Sequence, residues 1–269
     1  MRHLDVVTAG WATTIQDAGR AGLADLGVPR SGALDGELRA VLNRLVGNPE
    51  DAAVLETLGG LRVRPSRALV VATSAEMAAT AVPVGEPIDV DPASGALWGY
   101  LAVRGGITVD AVLGSRSQDS RSDLGPPPVA AGTVLPVGPD PGTELVADLA
   151  PPRPPRDVVD AWPGPRVDWF VEGALDQLAT TTWIVSPDVS RVGARLDGAP
   201  IARSRHEELA SEGLVNGAVQ VPPDGRPVVM LADHPTTGGY PVLAIVDDAS
   251  LATVVQARPG TSLRFRVVR

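Results

Sequence analysis

The chain has 269 residues, of which 44% are hydrophobic, and carries a formal net charge of −9 at pH 7. It contains no cysteine, and every one of its 23 basic residues is an arginine, which excludes thiol nucleophiles, disulfides, Schiff-base lysines, a P-loop lysine and covalent biotin on this chain. The negative charge argues against nucleic acid as a partner, because binding to phosphates requires a basic surface.

Short runs rich in valine, leucine and threonine dominate the chain, and glycine, proline, aspartate and serine separate them. This pattern is typical of β-sandwiches and β-barrels. It predicts strands at 13–15, 61–63, 68–72, 97–103, 134–137, 183–185, 218–221, 228–232, 242–246 and 262–268. Helical spacing of apolar residues predicts short helices at 33–46, 172–180 and 247–256. The fold class predicted from the residues is therefore mainly β with a few short helices.

A proline-rich stretch at 149–165 has six prolines in 17 residues. Proline has no backbone N–H and favours extended geometry, so such a stretch is expected to lie outside a central strand. We therefore predict three regions: an N-terminal β-barrel-like half at 1–148, a linker at 149–165, and a C-terminal half at 166–269.

Two blocks in the first half carry candidate binding residues. After the strand at 13–15, Asp17 and Arg20 are candidates for contacting a substrate or an anion, and Ser31 or Asp35 is expected to cap the first helix. Following the strand at 97–103, Arg104, Gly105 and Gly106 end the apolar run, and Ser115 and Arg116 form a small polar loop. Guanidinium groups and glycine N–H groups at a strand end can converge on an anion, although the same loops also occur as simple β-turns.

The most informative stretch lies at 211–241, where two apolar runs flank a Pro-Pro-Asp-Gly turn at 222–225. This pattern predicts a β-hairpin that delivers a glycine-rich polar loop to a pocket. Proton transfer requires a carboxylate or a histidine, so the catalytic candidates are Glu212, Asp233 and His234. The candidates for substrate binding are Gln220, Thr236, Thr237, Gly238 and Gly239. A barrel corner that needs glycine only for its geometry remains the alternative.

The three histidines lack the spacing of a metal site, so no metal is predicted. No apolar run approaches the roughly 20 residues of a membrane-spanning helix, and residues 1–10 have no apolar core of a signal peptide. The expected location is therefore the cytoplasm, with no membrane partner.

The stretch at 211–241 resembles the C-terminal signature of the 5-oxoprolinase C-subunit family, whose members are also described as biotin-dependent carboxyltransferase-like, allophanate hydrolase subunit 2-like or KipI antagonist. Further blocks match in the same order: TTIQDAGRAGLADLGVPRSGALD at 13–35, LVGNPEDAAVLETLGG at 45–60, YLAVRGGITVDAVLGSRSQD at 100–119 and SRVGARLDG at 190–198. The resemblance extends over nearly the whole chain. It implies two related, cyclophilin-like β-barrel halves, a symmetry that the sequence does not display.

The resemblance also implies an activity: an ATP-dependent hydrolase subunit that opens the cyclic amide 5-oxo-L-proline to L-glutamate. Its implied partners are a B-subunit-like (KipI-like) protein and an A-subunit-like protein, and ATP is expected to bind either unconventionally or on a partner. Two alternatives stay open. One is a urea or allophanate-type carboxyltransferase or amide hydrolase subunit whose biotin carrier is on another chain. The other is a non-enzymatic antagonist that binds a kinase-inhibitor protein.

Overall fold

The computed structural model describes residues 1–145, 147, 149–151, 153–154 and 156–268. The chain divides into two compact units, the first comprising Met1–Ala21 and Ser31–Arg153 and the second Gly22–Arg30 and Pro154–Arg269. The predicted regions 1–148, 149–165 and 166–269 fall in part on residues 146, 148, 152, 155 and 269, which lie outside the described residues. Those bounds stay a prediction.

The first unit is built from β-strands and one α-helix. Its elements in chain order are β1 His3–Ala9, β2 Thr14–Gln16, α1 Gly36–Leu45, β3 Val54–Thr57, β4 Leu61–Pro65, β5 Leu69–Thr73, β6 Ala79–Val82, β7 Ile88–Val90, β8 Gly99–Val103 and β9 Val134–Pro136. They form one sheet with the order β7-β4-β1-β9 and a second with the order β2-β3-β8-β5-β6.

The two sheets of the first unit enclose one hydrophobic core. Leu4 and Val63 of the first sheet and Leu55 and Leu101 of the second belong to the same buried cluster. Burying a side chain of this size stabilises the fold by about 1.5–3 kcal/mol, so the cluster is the main source of stability in this unit. Helix α1 contacts β5 and β8 of the second sheet. It begins after Asp35, whose carboxylate accepts the Leu38 N–H at 3.0 Å, which confirms that residue as the predicted cap.

The second unit contains a closed barrel. Its elements are β10 Val158–Pro163, α2 Ala174–Thr180, β11 Trp183–Val189, β12 Gly193–Asp197, β13 Glu212–Gly213, β14 Ala218–Gln220, β15 Val228–Met230, β16 Thr237–Gly238, β17 Val242–Val246, α3 Asp248–Val255 and β18 Ser262–Val267. Seven strands close the barrel in the order β10-β17-β14-β15-β12-β11-β18, and β13 pairs with β16 in a separate two-stranded sheet.

The predicted fold class, mainly β with a few short helices in two cyclophilin-like halves, is confirmed. The predicted hairpin is also present: β14 pairs antiparallel with β15, and the Gly225 N–H donates to the Pro222 carbonyl at 3.0 Å. Gly225 has φ = 76°, a left-handed conformation that glycine adopts without strain.

Part of the proline-rich stretch predicted as a linker forms a strand. Residues 158–163 form β10, a barrel strand that pairs with β17 and β18. Val159 and Ala161 are buried and alternate with more exposed neighbours, which is a strand pattern. The surrounding prolines obscure this pattern in the sequence. Pro163 is the last residue of the strand, where the missing N–H is tolerated best.

Candidate functional site

The candidate site begins where the chain leaves β15. Asp233 is fully buried, and its carboxylate accepts two hydrogen bonds from the Arg191 guanidinium, from Nε to Oδ2 at 2.8 Å and from Nη2 to Oδ1 at 3.0 Å. The Asp233 N–H donates in turn to the Arg191 carbonyl at 3.0 Å. Arg191 lies in the turn between β11 and β12, so these bonds fix the start of the polar loop to the neighbouring hairpin. Because the two hydrogen bonds are parallel, they fix both the position and the orientation of the Asp233 carboxylate relative to Arg191.

His234 follows at once and is 7% exposed. Its Nδ1 lies 2.7 Å from the Pro235 carbonyl oxygen. A carbonyl oxygen only accepts hydrogen bonds, so this contact places a proton on Nδ1. The His234 N–H also donates to the Leu231 carbonyl at 2.9 Å, which holds the backbone. The two contacts therefore fix the orientation of the ring and of its backbone.

The other end of the loop contacts β14. Gln220 is buried, and its Nε2 donates to the Tyr240 carbonyl at 3.0 Å. A Cβ at Gly238 would lie 2.7 Å from Gln220 Nε2 and 2.7 Å from Leu214 Cδ1, closer than side chains tolerate. A side chain at Gly238 would therefore displace the ends of the Gln220 and Leu214 side chains, so the glycine allows the close packing seen here. Gly239 is less restricted, because its nearest neighbour, the Leu209 carbonyl oxygen, would be 3.5 Å from a Cβ.

Glu212 is brought to the same loop by strand pairing. It lies opposite Gly238 in the pair of β13 and β16, and Gly213 lies opposite Thr237. The Leu214 N–H extends this contact by donating to the Thr236 carbonyl at 2.9 Å. The structure thus collects Glu212, Gln220, Thr236, Thr237, Gly238 and Gly239 around one loop, with Asp233 and His234 at its start.

The Glu212 carboxylate is bound by Arg166, whose Nε donates to Oε2 at 2.9 Å and whose Nη2 contacts Oε1. These hydrogen bonds are the main reason that the pKa of Glu212 lies below its usual value. A carboxylate held in its ionised form is a weak base at neutral pH. The pairing supports a role for Glu212 in fixing β13, while its predicted catalytic role stays a prediction.

The Arg166–Glu212 pair should give the stability a specific pH dependence. The pKa of Glu212 is lowered in the folded chain, so the pair stabilises the fold above the unfolded pKa, about 4.3. This stabilisation is lost as the pH falls through the pKa that Glu212 has in the folded chain. Glu212→Gln is expected to lower the melting temperature at pH 7, by an amount corresponding to about 0.5–1 kcal/mol because solvent screens the pair.

Calorimetry at pH 7 and near pH 3 measures this effect. The difference between the original chain and Glu212→Gln should shrink towards zero at the lower pH. Glu207→Gln, a change at an exposed residue of the preceding loop, is the control and should give no such dependence. A Glu212→Gln effect of equal size at both pH values would contradict the interpretation.

In the first unit, the structure places Asp17 at the centre of its own cluster of donors. Its carboxylate accepts from Ser115 Oγ at 2.5 Å, Ser117 Oγ at 2.6 Å, the Arg116 N–H at 2.6 Å and the Gly19 N–H at 2.8 Å. The predicted anion loop at Ser115 and Arg116 therefore surrounds an anion that belongs to the protein. Four hydrogen bonds to one buried carboxylate support a role in fixing these loops.

The two arginines beside this cluster donate to backbone carbonyls. Arg20 Nε donates to the Val112 carbonyl at 3.0 Å, and its Nη2 donates to the Ser117 carbonyl. Arg116 Nε donates to the Val109 carbonyl at 2.8 Å. Asp17, Arg20, Ser115 and Arg116 are thus brought together, and substrate contact by any of them stays a prediction.

Arg104 supports the loop at 138–143. It donates from Nε to Asp140 Oδ1 at 2.7 Å, from Nη1 to the Val46 carbonyl at 3.0 Å and from Nη2 to the Thr143 carbonyl at 2.6 Å. All three guanidinium nitrogens thus have protein acceptors, which leaves less capacity for a ligand.

The glycines after Arg104 have conformational reasons to be glycine. Gly105 has φ = 102°, and a Cβ there would lie 2.4 Å from the Gly138 carbonyl oxygen. Gly106 has φ = 68° and donates its N–H to the Val103 carbonyl at 2.7 Å. Anion binding by Arg104, Gly105 and Gly106 stays a prediction.

Sequence reasoning missed four residues that shape the second-unit site: Arg166, Arg191, Arg203 and Tyr240. Arg191 lies 42 residues before its partner Asp233, and Arg166 lies 46 residues before Glu212. A spacing of this size carries no periodic signal in the sequence.

Within the described part of the chain, no group of three or more histidine, aspartate or glutamate residues is placed to hold a metal ion. Within the same residues, no helix has the length and apolar character needed to span a bilayer.

A family model described as carboxyltransferase domain, subdomain A and B, matches residues 26–267. The chain therefore belongs to this carboxyltransferase-domain family. Its curated relatives include the 5-oxoprolinase C subunit of Escherichia coli, which is 33% identical over 97% of this chain and 90% of the relative. The corresponding protein of Haemophilus influenzae is 31% identical over 98% of this chain and 91% of the relative.

Larger enzymes contain a similar domain. The urea amidolyase of Lachancea kluyveri is 29% identical over 97% of this chain, which spans 17% of that protein. The solved structure of the Kluyveromyces lactis urea amidolyase superposes with a TM-score of 0.91 at 27% identity, covering 99% of this chain and 19% of that one. The relatives are parts of enzymes, and this chain is a carboxyltransferase-like subunit.

Proposed function

We propose that the chain is the C subunit of an ATP-dependent 5-oxoprolinase, which opens 5-oxo-L-proline to L-glutamate. The observation that carries the proposal is the nearly end-to-end similarity to the 5-oxoprolinase C subunit of Escherichia coli, which covers 90% of that relative. The urea amidolyases, by contrast, contain the similar segment as less than a fifth of a longer chain. The size of the matching relative thus favours a separate subunit.

The geometry at the start of the polar loop supports a role for His234 in proton transfer. Opening the lactam adds water across the ring C–N bond: the hydroxyl joins the carbonyl carbon, the C–N bond breaks, and a proton reaches the ring nitrogen. His234 Nε2 can accept a proton from the water and return it to the departing nitrogen, because Nδ1 is held by the Pro235 carbonyl. Asp233 and Arg191 then act as positioning residues. Gln220, Thr236, Thr237, Gly238 and Gly239 are the proposed binding surface.

ATP is assigned to the partners of this chain. The residues present do not fit a conventional phosphate site, since the chain has no lysine and no P-loop. No step at His234 is therefore routed through ATP. The A-subunit-like protein and the B-subunit-like (KipI-like) protein are the proposed partners that bind ATP and complete the site, and the complex is expected to function in the cytoplasm.

Reconstitution tests the proposal. The chain is co-purified with its B-subunit-like partner, and the A-subunit-like protein is added together with ATP and 5-oxo-L-proline. We expect glutamate to form, and to fall to background when this chain alone is omitted. A stable three-part complex that forms no glutamate would count against the proposal and favour the non-enzymatic antagonist.

Carboxyl transfer is the second candidate, with biotin supplied by a carrier on another chain. The match to the carboxyltransferase-domain model and the TM-score of 0.91 with the Kluyveromyces lactis urea amidolyase favour it. In that case His234 or Gln220 would contact an acceptor amide such as urea. Activity would require a biotin carrier and would be blocked by avidin, whereas the proposed 5-oxoprolinase activity would be unaffected.

A further inference from the structure

Arg203, which precedes the polar loop by thirty residues, is a half-buried cation with unused donors. Its Nη2 donates to the Val221 carbonyl. Nε is shielded from solvent and has no hydrogen-bond partner among the described residues, and no described acceptor receives a bond from Nη1. Burial is the main reason that the pKa of Arg203 lies below its usual value. A guanidinium partly removed from water, with donors left over, is costly unless an anion compensates it.

Other arginines of the second unit differ from Arg203 in this respect. Five of them each form an ion pair with an acidic residue: Arg166 with Glu212, Arg191 with Asp233, Arg195 with Asp224, Arg205 with Asp168 and Arg226 with Asp197. Within the described residues Arg203 has no ion-pair partner. The carboxylate of Asp224 acts on Arg203 and raises its pKa, but that carboxylate is ion-paired with Arg195. In a chain with a net charge of −9, a half-buried arginine without an ion pair of its own is an unusual choice.

Contacts connect Arg203 to the candidate site. Its guanidinium carbon lies 5.7 Å from the centre of the Tyr240 ring, within range for a cation–π contact. The Tyr240 carbonyl accepts the Gln220 side-chain N–H, and Gln220 packs against Gly238. Arg203, Tyr240, Gln220 and Gly238 thus form a continuous set. The ring orients the guanidinium beside the loop without neutralising its charge.

We propose that Arg203 binds the carboxylate of a small amide substrate at this site. A planar guanidinium is well suited to this because its N–H groups match the two oxygens of a carboxylate. This inference deepens the proposed function and rests on it: 5-oxo-L-proline carries a carboxylate, and urea does not. Arg203 would therefore distinguish a lactam acid from a neutral amide.

The test uses the reconstituted complex and compares Arg203→Ala, Arg203→Lys and Arg205→Ala. Arg205 is the matched control because its guanidinium carbon also lies 5.7 Å from a ring, that of Trp169, yet it is ion-paired with Asp168. Loss of a charge-assisted hydrogen bond should raise KM for 5-oxo-L-proline by about 10–100-fold in Arg203→Ala. Arg203→Lys, which keeps the charge and loses the planar fork, should show a smaller increase, and Arg205→Ala should leave KM unchanged.

Competition by 2-pyrrolidinone, the same ring without the carboxylate, gives the decisive second readout. If Arg203 binds the carboxylate, the inhibition constant of 2-pyrrolidinone should be equal in the original chain and in Arg203→Lys. Should Arg203→Ala fail to fold, Arg203→Lys alone carries the comparison. An unchanged KM for 5-oxo-L-proline in both variants, or an equal loss of affinity for both compounds, would overturn the proposal.

The two proposals can fail separately. If the original complex forms no glutamate yet binds 5-oxo-L-proline by calorimetry, and Arg203→Lys weakens that binding, the carboxylate site stands and the 5-oxoprolinase proposal falls. If glutamate forms with an unchanged KM in the Arg203 variants, the 5-oxoprolinase proposal stands and the carboxylate site falls. If the original complex neither turns over nor binds 5-oxo-L-proline, both proposals fall.

Discussion

Asp233→Ala is expected to destabilise the barrel unit by about 3–5 kcal/mol. The substitution removes the carboxylate and leaves the Arg191 guanidinium, which is 5% exposed, as a buried charge without its partner. The large cost comes from that desolvated charge rather than from the loss of two hydrogen bonds. A fall in activity of Asp233→Ala would therefore not by itself identify Asp233 as catalytic.

Hydrogen exchange of barrel amides measures this prediction, because a chain with two units need not unfold in a single step. The Leu231 N–H, which donates to the Val192 carbonyl at 3.0 Å, is a suitable probe. Arg195→Ala with Asp224→Ala is the matched control: this pair belongs to the same unit, but its side chains are 31% and 48% exposed, so its removal should cost less than about 1 kcal/mol.

A double substitution separates charge from packing. Arg191→Met with Asp233→Leu replaces both charges by apolar side chains of similar size, and it should recover much of the stability that Asp233→Ala loses. If Asp233→Ala changed the exchange of the Leu231 amide no more than the exposed control does, the buried pair would not hold the loop as described.

His234→Asn is expected to lower glutamate formation by about 10²–10⁴-fold with little change in stability. The asparagine amide N–H takes the position of Nδ1 and can keep the bond to the Pro235 carbonyl, whereas the position of Nε2 is left without a base. The variant thus removes the proton-transfer group while preserving the local backbone. The expected loss lies in kcat, because no substrate contact is removed.

The measurement is steady-state kinetics of the reconstituted complex together with the melting temperature. His206→Ala is the control, since His206 is exposed and lies outside the loop, and it should retain full activity. His234→Asn with normal stability and normal kcat would show that another group transfers the proton. In that case Glu212 would be the next candidate.

Local features of the sequence predicted the β architecture, because strand and turn signals are short-range. The Pro-Pro-Asp-Gly turn at 222–225 and the flanking apolar runs specified the hairpin of β14 and β15, and the apolar spacing at 33–46 specified α1. The strand β10 was missed since the prolines around it outweighed its alternation. The high proline content of the whole stretch at 149–165 hides the short strand that lies within it.

The site could be predicted only in part. Glycines and polar residues concentrated at 233–240 located the loop, but the partners that fix it are far away along the chain. Arg191 and Asp233 are 42 residues apart in the sequence, and Arg203 and Tyr240, which are in contact, are 37 residues apart. Such contacts depend on strand order, which one sequence does not display. The block at 115–116 had the composition of an anion site, yet its donors are directed at the carboxylate of Asp17.

Substrate selection by one assembly tests the central claim most directly. The reconstituted complex is supplied with ATP and with either 5-oxo-L-proline or urea, each with and without avidin. We predict that ATP hydrolysis depends on 5-oxo-L-proline, yields glutamate and is unaffected by avidin. ATP hydrolysis that depends on urea, stops with avidin and yields no glutamate from 5-oxo-L-proline would contradict the account and establish carboxyl transfer instead.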